Sequence, residues 1–178
     1  KSADAIRVMS QGQKEKLSAY KNKIIEVIST PVDLQKFSYS TEHNSSQRVL
    51  HVGRFDKVKD FATLNKAFQK IKEKVINAEL MQLGGGEKAQ SILKNANVAP
   101  ITDHAGIIKS IQESDVLVLS STSESFGKVL VEANACGKPV VSTATTGAKE
   151  IIFDGVNGFL VPIGDAGALA DKTIQLLE

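Results

Sequence analysis

The sequence has a single cysteine, no tryptophan, few aromatics and no long apolar run. Each shortage closes off a class of protein. Cys136 stands alone in LVEANACG, so no disulfide framework can form within the chain, and a buried, inert thiol is expected. No apolar run approaches the roughly 18 residues of a membrane span, and no secretory signal opens the chain. Both absences argue for a reducing, cytoplasmic setting. With seven Phe, two Tyr and a net charge of +2, no base-stacking surface or phosphate-tracking stripe is expected. The richest basic stretch, from Arg54 to Lys74, is interrupted by Asp56, Asp60 and Glu73, so nucleic acid is not the expected partner. Metal ligands are equally sparse. No Asp lies two positions from another, which leaves no D-x-D to hold a divalent ion against a diphosphate, and His43, His51 and His104 are scattered.

What remains is an ordinary globular composition, 42% hydrophobic and 24% charged, over 178 residues. That length allows one well-cored domain and a fragment of a second. From Gln47 onward short apolar runs alternate with helix-like segments. The runs are RVLHVG (48–53), AELMQLG (78–84), NVAPI (97–101), DVLVLSS (115–121), KPVVST (138–143) and NGFLVP (157–162). They are rich in Val, Leu and Ile and bounded by Gly, Pro, Ser or Asp, the marks of buried strands. NVAPI is the poorest, and Pro100 points to a sheet edge. Helices are expected over 61–75, 87–94, 104–112, 127–136, 147–153 and 166–177. In the first of these Phe61, Leu64, Phe68, Ile71 and Val75 recur at spacings of three and four. The alternation implies right-handed crossovers and an α/β, Rossmann-like domain, its mostly parallel sheet flanked by helices on both faces. This domain covers 48–178. Residues 1–30 are either an extra βα unit of the same sheet or the end of a neighbouring domain. The polar stretch TPVDLQKFSYSTEHNSSQ favours a linker over 31–47.

Ligands of open parallel sheets bind beyond the carboxyl ends of the strands. Gly53, Arg54 and Lys59 follow the first strand, Gly84 and Gly86 the second, Ser120 through Gly127 the fourth, and Thr143 to Gly147 the fifth. Glycines, hydroxyls, two cations and a carboxylate on one rim suit an anionic ligand that bears hydroxyls. Arg54 can grip a phosphate with two parallel hydrogen bonds, or it can be an ordinary surface cation. Gly127 opens a helix whose free N–H groups and dipole favour a pyrophosphate. On that helix Glu132 is one carboxylate among apolar residues. It can pair with Lys128 one turn away, or it can face the rim and accept hydrogen bonds from a ribose diol. Glu124, eight positions earlier, would then lie beyond the phosphates.

The segment SFGKVLV between Glu124 and Glu132, followed by ANACGKPVV, resembles the E-x7-E signature of the retaining glycosyltransferases of family 4, which have the two-domain GT-B architecture. VGRFDKVKDFATLNKAF (52–68) is similar to that family's phosphate-binding strand, loop and helix. LGGGEK (83–88) resembles its glycine turn, and EIIFDGVNGFLVP (150–162) its closing segment. The resemblance runs from about Ser29 onward with the motifs in the family's order, and it implies a donor-binding domain with metal-independent chemistry. Arg54 and Lys59 would hold the donor pyrophosphate and Glu132 the ribose. Glu124 would be the catalytic contact to the transferred sugar, and Gly53, Ser125, Phe126, Gly127, Lys128 and Val129 would complete the cradle. Gly84 and Gly86 would line the nucleotide cleft. The donor would be a UDP-sugar first and a GDP-sugar next. The acceptor half would precede this domain, with only ADAIRVMSQGQKEKL (3–17) resembling its end, and would carry any peripheral membrane association. Where the family often has paired glycines after the fifth strand, this chain has Thr146-Gly147. Two other functions fit parts of the sequence. Gly84 to Ala89 matches G-x-G-x-x-A, with Asp103 nineteen residues beyond Gly84, close to the fingerprint of NAD-dependent oxidoreductases. A non-catalytic α/β module that binds a partner is the other.

Overall fold

A computed structural model describes residues 4–20, 22–39, 47–101 and 103–178. His43 lies outside the described residues, as do Lys21, 1–3 of the leading stretch and 40–46 of the expected linker. The main sheet has six parallel strands: β3 (Gln47–Val52), β4 (Ala78–Leu83), β5 (Ala96–Ala99), β6 (Val116–Leu119), β7 (Val140–Thr143) and β8 (Gly158–Val161). Their spatial order is β5-β4-β3-β6-β7-β8. The chain therefore builds outward from β3 in one direction, then returns to β6 and builds outward in the other. The carboxyl ends of β3 and β6 flank the switch point, the place where open parallel sheets bind their ligands. β5 and β8 are the edge strands, and Pro100 directly follows the last residue of β5.

Side chains alternate along each strand, so two cores form. Val49, Val116, Val118 and Val141 point to one face. There they meet Phe61, Leu64, Phe68 and Ile71 of α2 (Phe61–Lys74) and Leu169, Ala170 and Leu177 of α7 (Ala166–Leu177). Leu50, Leu117, Leu119 and Val140 point to the other, against Ile111 of α4 (His104–Gln112), Leu130 and Ala133 of α5 (Lys128–Ala135) and Ala148 of α6 (Ala148–Ile151). The cover on both faces is why the strands are apolar at nearly every position. Cys136 is buried in the second core as a free thiol, and burial pushes its ionisation up.

Several boundaries differ from expectation for local reasons. The sixth helix stops at Ile151 because the Asn157 amide donates to the Ile151 carbonyl at 3.0 Å while its oxygen accepts from Phe153 N–H at 2.8 Å. The glycine-turn helix α3 (Gly86–Ile92) starts one residue early and ends two residues sooner. The leading segments β1 (Ala5–Val8), α1 (Gln11–Lys16) and β2 (Ile24–Val27) do not extend the main sheet, since β1 and β2 pair in parallel with one another. The polar stretch ahead of β3 carries Phe37 into the second core, where its ring meets His104 edge-on at 6.1 Å. Among the described residues no helix is long and apolar enough to cross a membrane. Phe37→Ala should cost about 3 kcal/mol of unfolding free energy, as for other buried aromatics. Leu34→Ala, at an exposed position of the same stretch, should stay within about 0.5 kcal/mol. Urea titration of both variants checks the difference.

Candidate donor-binding site

The loops at the switch point are tied together by hydrogen bonds that polar strand ends make possible. After β3, Asp56 accepts from Val58 N–H at 3.0 Å and shapes a short 3-10 turn, Lys57–Lys59. Asp60 then caps α2 by accepting from Thr63 N–H at 3.1 Å. After β6, Ser120 Oγ donates to the Lys59 carbonyl at 2.7 Å, and Thr122 N–H donates to the Val58 carbonyl at 2.8 Å. Thr143, closing β7, donates to the Ser121 carbonyl at 2.5 Å. Three strand ends thus share one frame.

That frame brings Lys59 and Glu124 together, Nζ to Oε2 at 2.6 Å, with each side chain about one-fifth exposed (19% and 22%). A β-carbon placed on Gly127 would lie 3.4 Å from Glu124 Cγ, so the carboxylate stands at the opening of α5. Gly127 has φ +83° and provides no side-chain cap, and the first N–H groups of α5 have no partner inside the helix. One turn in, Glu132 is buried, and its Oε1 is 2.8 Å from Lys128 Nζ. Of the two partners open to Glu132, the intrahelical Lys128 is the one it holds. Arg54 is exposed and has no ion-pair partner among the described residues. Two lysines, Lys59 and Lys128, each pair with a carboxylate, and Arg54 adds a third cation on the loop after β3. The excess positive charge and the α5 dipole make this rim receptive to an anion.

The second loop sits beside the first. Gly84 has φ +87°, and a β-carbon there would come 2.7 Å from the Gly53 carbonyl oxygen, so only glycine allows the approach. Gly84, Gly85 and Gly86, with Val98, Ala99, Pro100 and Ile101, line a cavity of about 480 Å³ next to the charged rim. Of the remaining expected positions, Ser125 is exposed, and Phe126 and Val129 are half-buried in the loop and first turn around Gly127.

Sequence reasoning missed the groups that hold these loops. The Gln82 amide nitrogen lies 3.0, 2.8 and 3.1 Å from the carbonyls of Gly53, Leu83 and Gly84, clamping both glycine turns. Its oxygen therefore faces His51 and accepts from Nδ1–H at 2.5 Å, which leaves Nε2 unprotonated and unpartnered among the described residues. A glutamine in the apolar run AELMQLG, next to a glycine turn, was the available signal. Burial, opposed by the Gln82 hydrogen bond and reinforced by Lys59, lowers the His51 pKa from 6.5 to about 4. An unfolded chain takes up this proton as the pH falls past 6.5, whereas the folded ring resists it down to about 4. Stability linked to His51 is thus present above pH 6.5 and is lost below it, a loss on the order of 3 kcal/mol when complete. His51→Asn, which keeps a donor and cannot titrate, should flatten the fall in urea-derived stability between pH 7 and 4.5. An unchanged pH slope would contradict the assignment.

The family described as Glycosyl transferases group 1 matches residues 32–178. Among curated proteins, N-acetyl-alpha-D-glucosaminyl L-malate synthase of Bacillus anthracis is 36% identical over 141 residues, 75% of this chain and 37% of that protein. Phosphatidyl-myo-inositol mannosyltransferase of Mycobacterium leprae is 34% identical over 138 residues, 73% of this chain and 37% of that protein. The chain thus spans little more than a third of the length of these relatives. Sucrose-phosphate synthase of Thermosynechococcus elongatus superposes with a TM-score of 0.85 at 25% identity, covering 99% of this chain and 49% of that one. HepE of Anabaena, in complex with UDP-glucose, superposes with a TM-score of 0.82 at 23% identity, covering 99% of this chain and 54% of that one. The Rossmann-like fold is that of one half of these GT-B structures. The dinucleotide-like run from Gly84 follows β4, one strand removed from the β3–β6 switch point, and does not hold the Lys59–Glu124 contact.

Proposed function

This chain belongs to the group 1 glycosyl transferases, a nucleotide-sugar-binding domain in that family, and from that premise we propose a specific role for it. It is the donor-binding half of a retaining, metal-independent enzyme that moves a hexose-type sugar from a nucleoside diphosphate to a glycan or lipid-linked acceptor. The observation that carries this role is the Lys59–Glu124 contact at the opening of α5, one helical turn from the Lys128–Glu132 pair. Arg54, Lys59 and the free N–H groups of α5 take the diphosphate. As the sugar leaves, they stabilise the charge that develops on the diphosphate. The absence of D-x-D from the sequence supports giving that task to cations and the helix. Lys59 and Lys128 exchange a carboxylate for phosphate oxygens on binding, which frees Glu124 for the sugar hydroxyls and Glu132 for the ribose diol.

The base lies in the cavity beside Gly84 and Gly86, and the backbone from Gly53 and from Ser125 to Val129 completes the cradle. UDP is the favoured carrier, supported by the UDP-glucose complex of HepE, and GDP is next. The acceptor half precedes this domain, and the 37% share of the relatives' length supports a longer protein. Residues 1–30 are its end, and any peripheral association with a membrane resides there. A cytoplasmic setting is part of the same proposal and accords with the free thiol of Cys136. Glu132→Ala should weaken UDP and UDP-glucose alike, by about tenfold or more, the scale of a lost charged hydrogen bond. Glu124→Ala should leave UDP within about twofold and reduce UDP-glucose by about tenfold. Calorimetric titration of both variants is decisive, since equal and negligible effects would reject the two roles.

A further inference from the structure

The loop between β7 and α6 touches two things at once. On its outer side, the Glu150 carboxylate accepts from the backbone N–H groups of Gln11 and Gly12, each at 2.9 Å. Thr146 Cγ2 fills the space that a β-carbon on Gly12 would take, so α1 can seat here only because residue 12 is glycine. On its inner side, Gly147 N–H donates to the Glu124 carbonyl at 3.0 Å. A β-carbon on Gly147 would lie 2.6 to 2.7 Å from the Phe126 backbone, so the two loops are in direct van der Waals contact. Thr145 stiffens the segment between these contacts, its hydroxyl accepting from Ala148 N–H at 3.3 Å and its carbonyl from Lys149 N–H at 3.1 Å. The segment is a short, close-packed bridge with no slack at either end.

We propose that Thr146 to Glu150 connects the leading segment to the sugar end of the donor site, with Thr146 and Glu150 as positioning residues for Glu124. Where α1 sits then sets where the Glu124 loop sits. Resting on the placement of the donor sugar at Glu124, the proposal makes sugar recognition depend on the position of α1. In a longer chain the same bridge carries the placement of the acceptor half to the donor sugar. Packed contacts transmit displacements of this kind because neither partner can yield without the other. It also gives the threonine at 146 a purpose that a second glycine would not serve, since glycine has no methyl to press on Gly12.

Gly12→Ala should force α1 away from Thr146, and Thr146→Ser, which removes the methyl, should restore the seat. Two readouts separate the bridge from the donor assignment. In the ligand-free chain, Gly12→Ala should shift the amide resonances of Gly147, Ser125 and Phe126, and the added Thr146→Ser should return them. In titrations, Gly12→Ala should reduce the preference for UDP-glucose over UDP by about fivefold, a modest coupling, leave UDP affinity unchanged, and regain the preference with Thr146→Ser. Shifts that stop at Thr146, a preference that does not move, or failure of the second substitution to rescue would each overturn the bridge. If the unaltered chain binds no UDP, the donor assignment fails on its own, while the amide shifts still decide whether the bridge exists.

Discussion

A parallel sheet covered on both faces leaves its strand ends as the places where exposed polar side chains gather, and here the rim at the carboxyl ends carries the Lys59–Glu124 pair. The other features of this molecule follow from that constraint. Strand order reverses between β3 and β6, which puts the switch point there, and the same rim lines a cavity beside Gly84. The loops that diverge must satisfy their own carbonyls. The Gln82 amide and the hydroxyls of Ser120 and Thr143 do so from inside the protein. With the backbone satisfied from below, the charged side chains at the rim are not needed to hold these carbonyls.

Those charges neutralise one another in pairs. Glu132 is carried on a largely apolar helix and is almost fully buried, an expensive position for a carboxylate unless a cation is adjacent. Lys128 provides it, and Lys59 does the same for Glu124. In the proposed donor role a diphosphate would replace each carboxylate at its lysine and hydroxyls each lysine at its carboxylate, so recognition would use the four side chains of the two ion pairs. Arg54 stands outside both pairs.

Much of this was legible in the residues. The strand runs, the amphipathic pattern of α2, the edge position of β5 and the family's motif order all rest on local signals: periodicity, Pro100, and glycines at fixed offsets. The pairing of Lys59 with Glu124 was not legible, because it joins residues 65 positions apart through a crossover. Neither was the clamp of His51 and Gln82, since a buried polar pair in two strands has no sequence period of its own. Phe37 was hidden for a different reason, being one apolar residue in a polar stretch whose composition suggests a linker. The Thr146–Gly147 departure was visible, but its neighbours, Gly12 and Phe126, are brought to it only by the fold.

The most direct measurement is calorimetric titration of the chain with UDP, GDP, ADP and NAD in the absence of divalent metal, repeated with Arg54→Ala. Saturable binding of one nucleoside diphosphate, lost in the variant, is the predicted result. Binding of NAD alone, or nucleotide binding indifferent to Arg54, would contradict a donor site at the β3–β6 switch point.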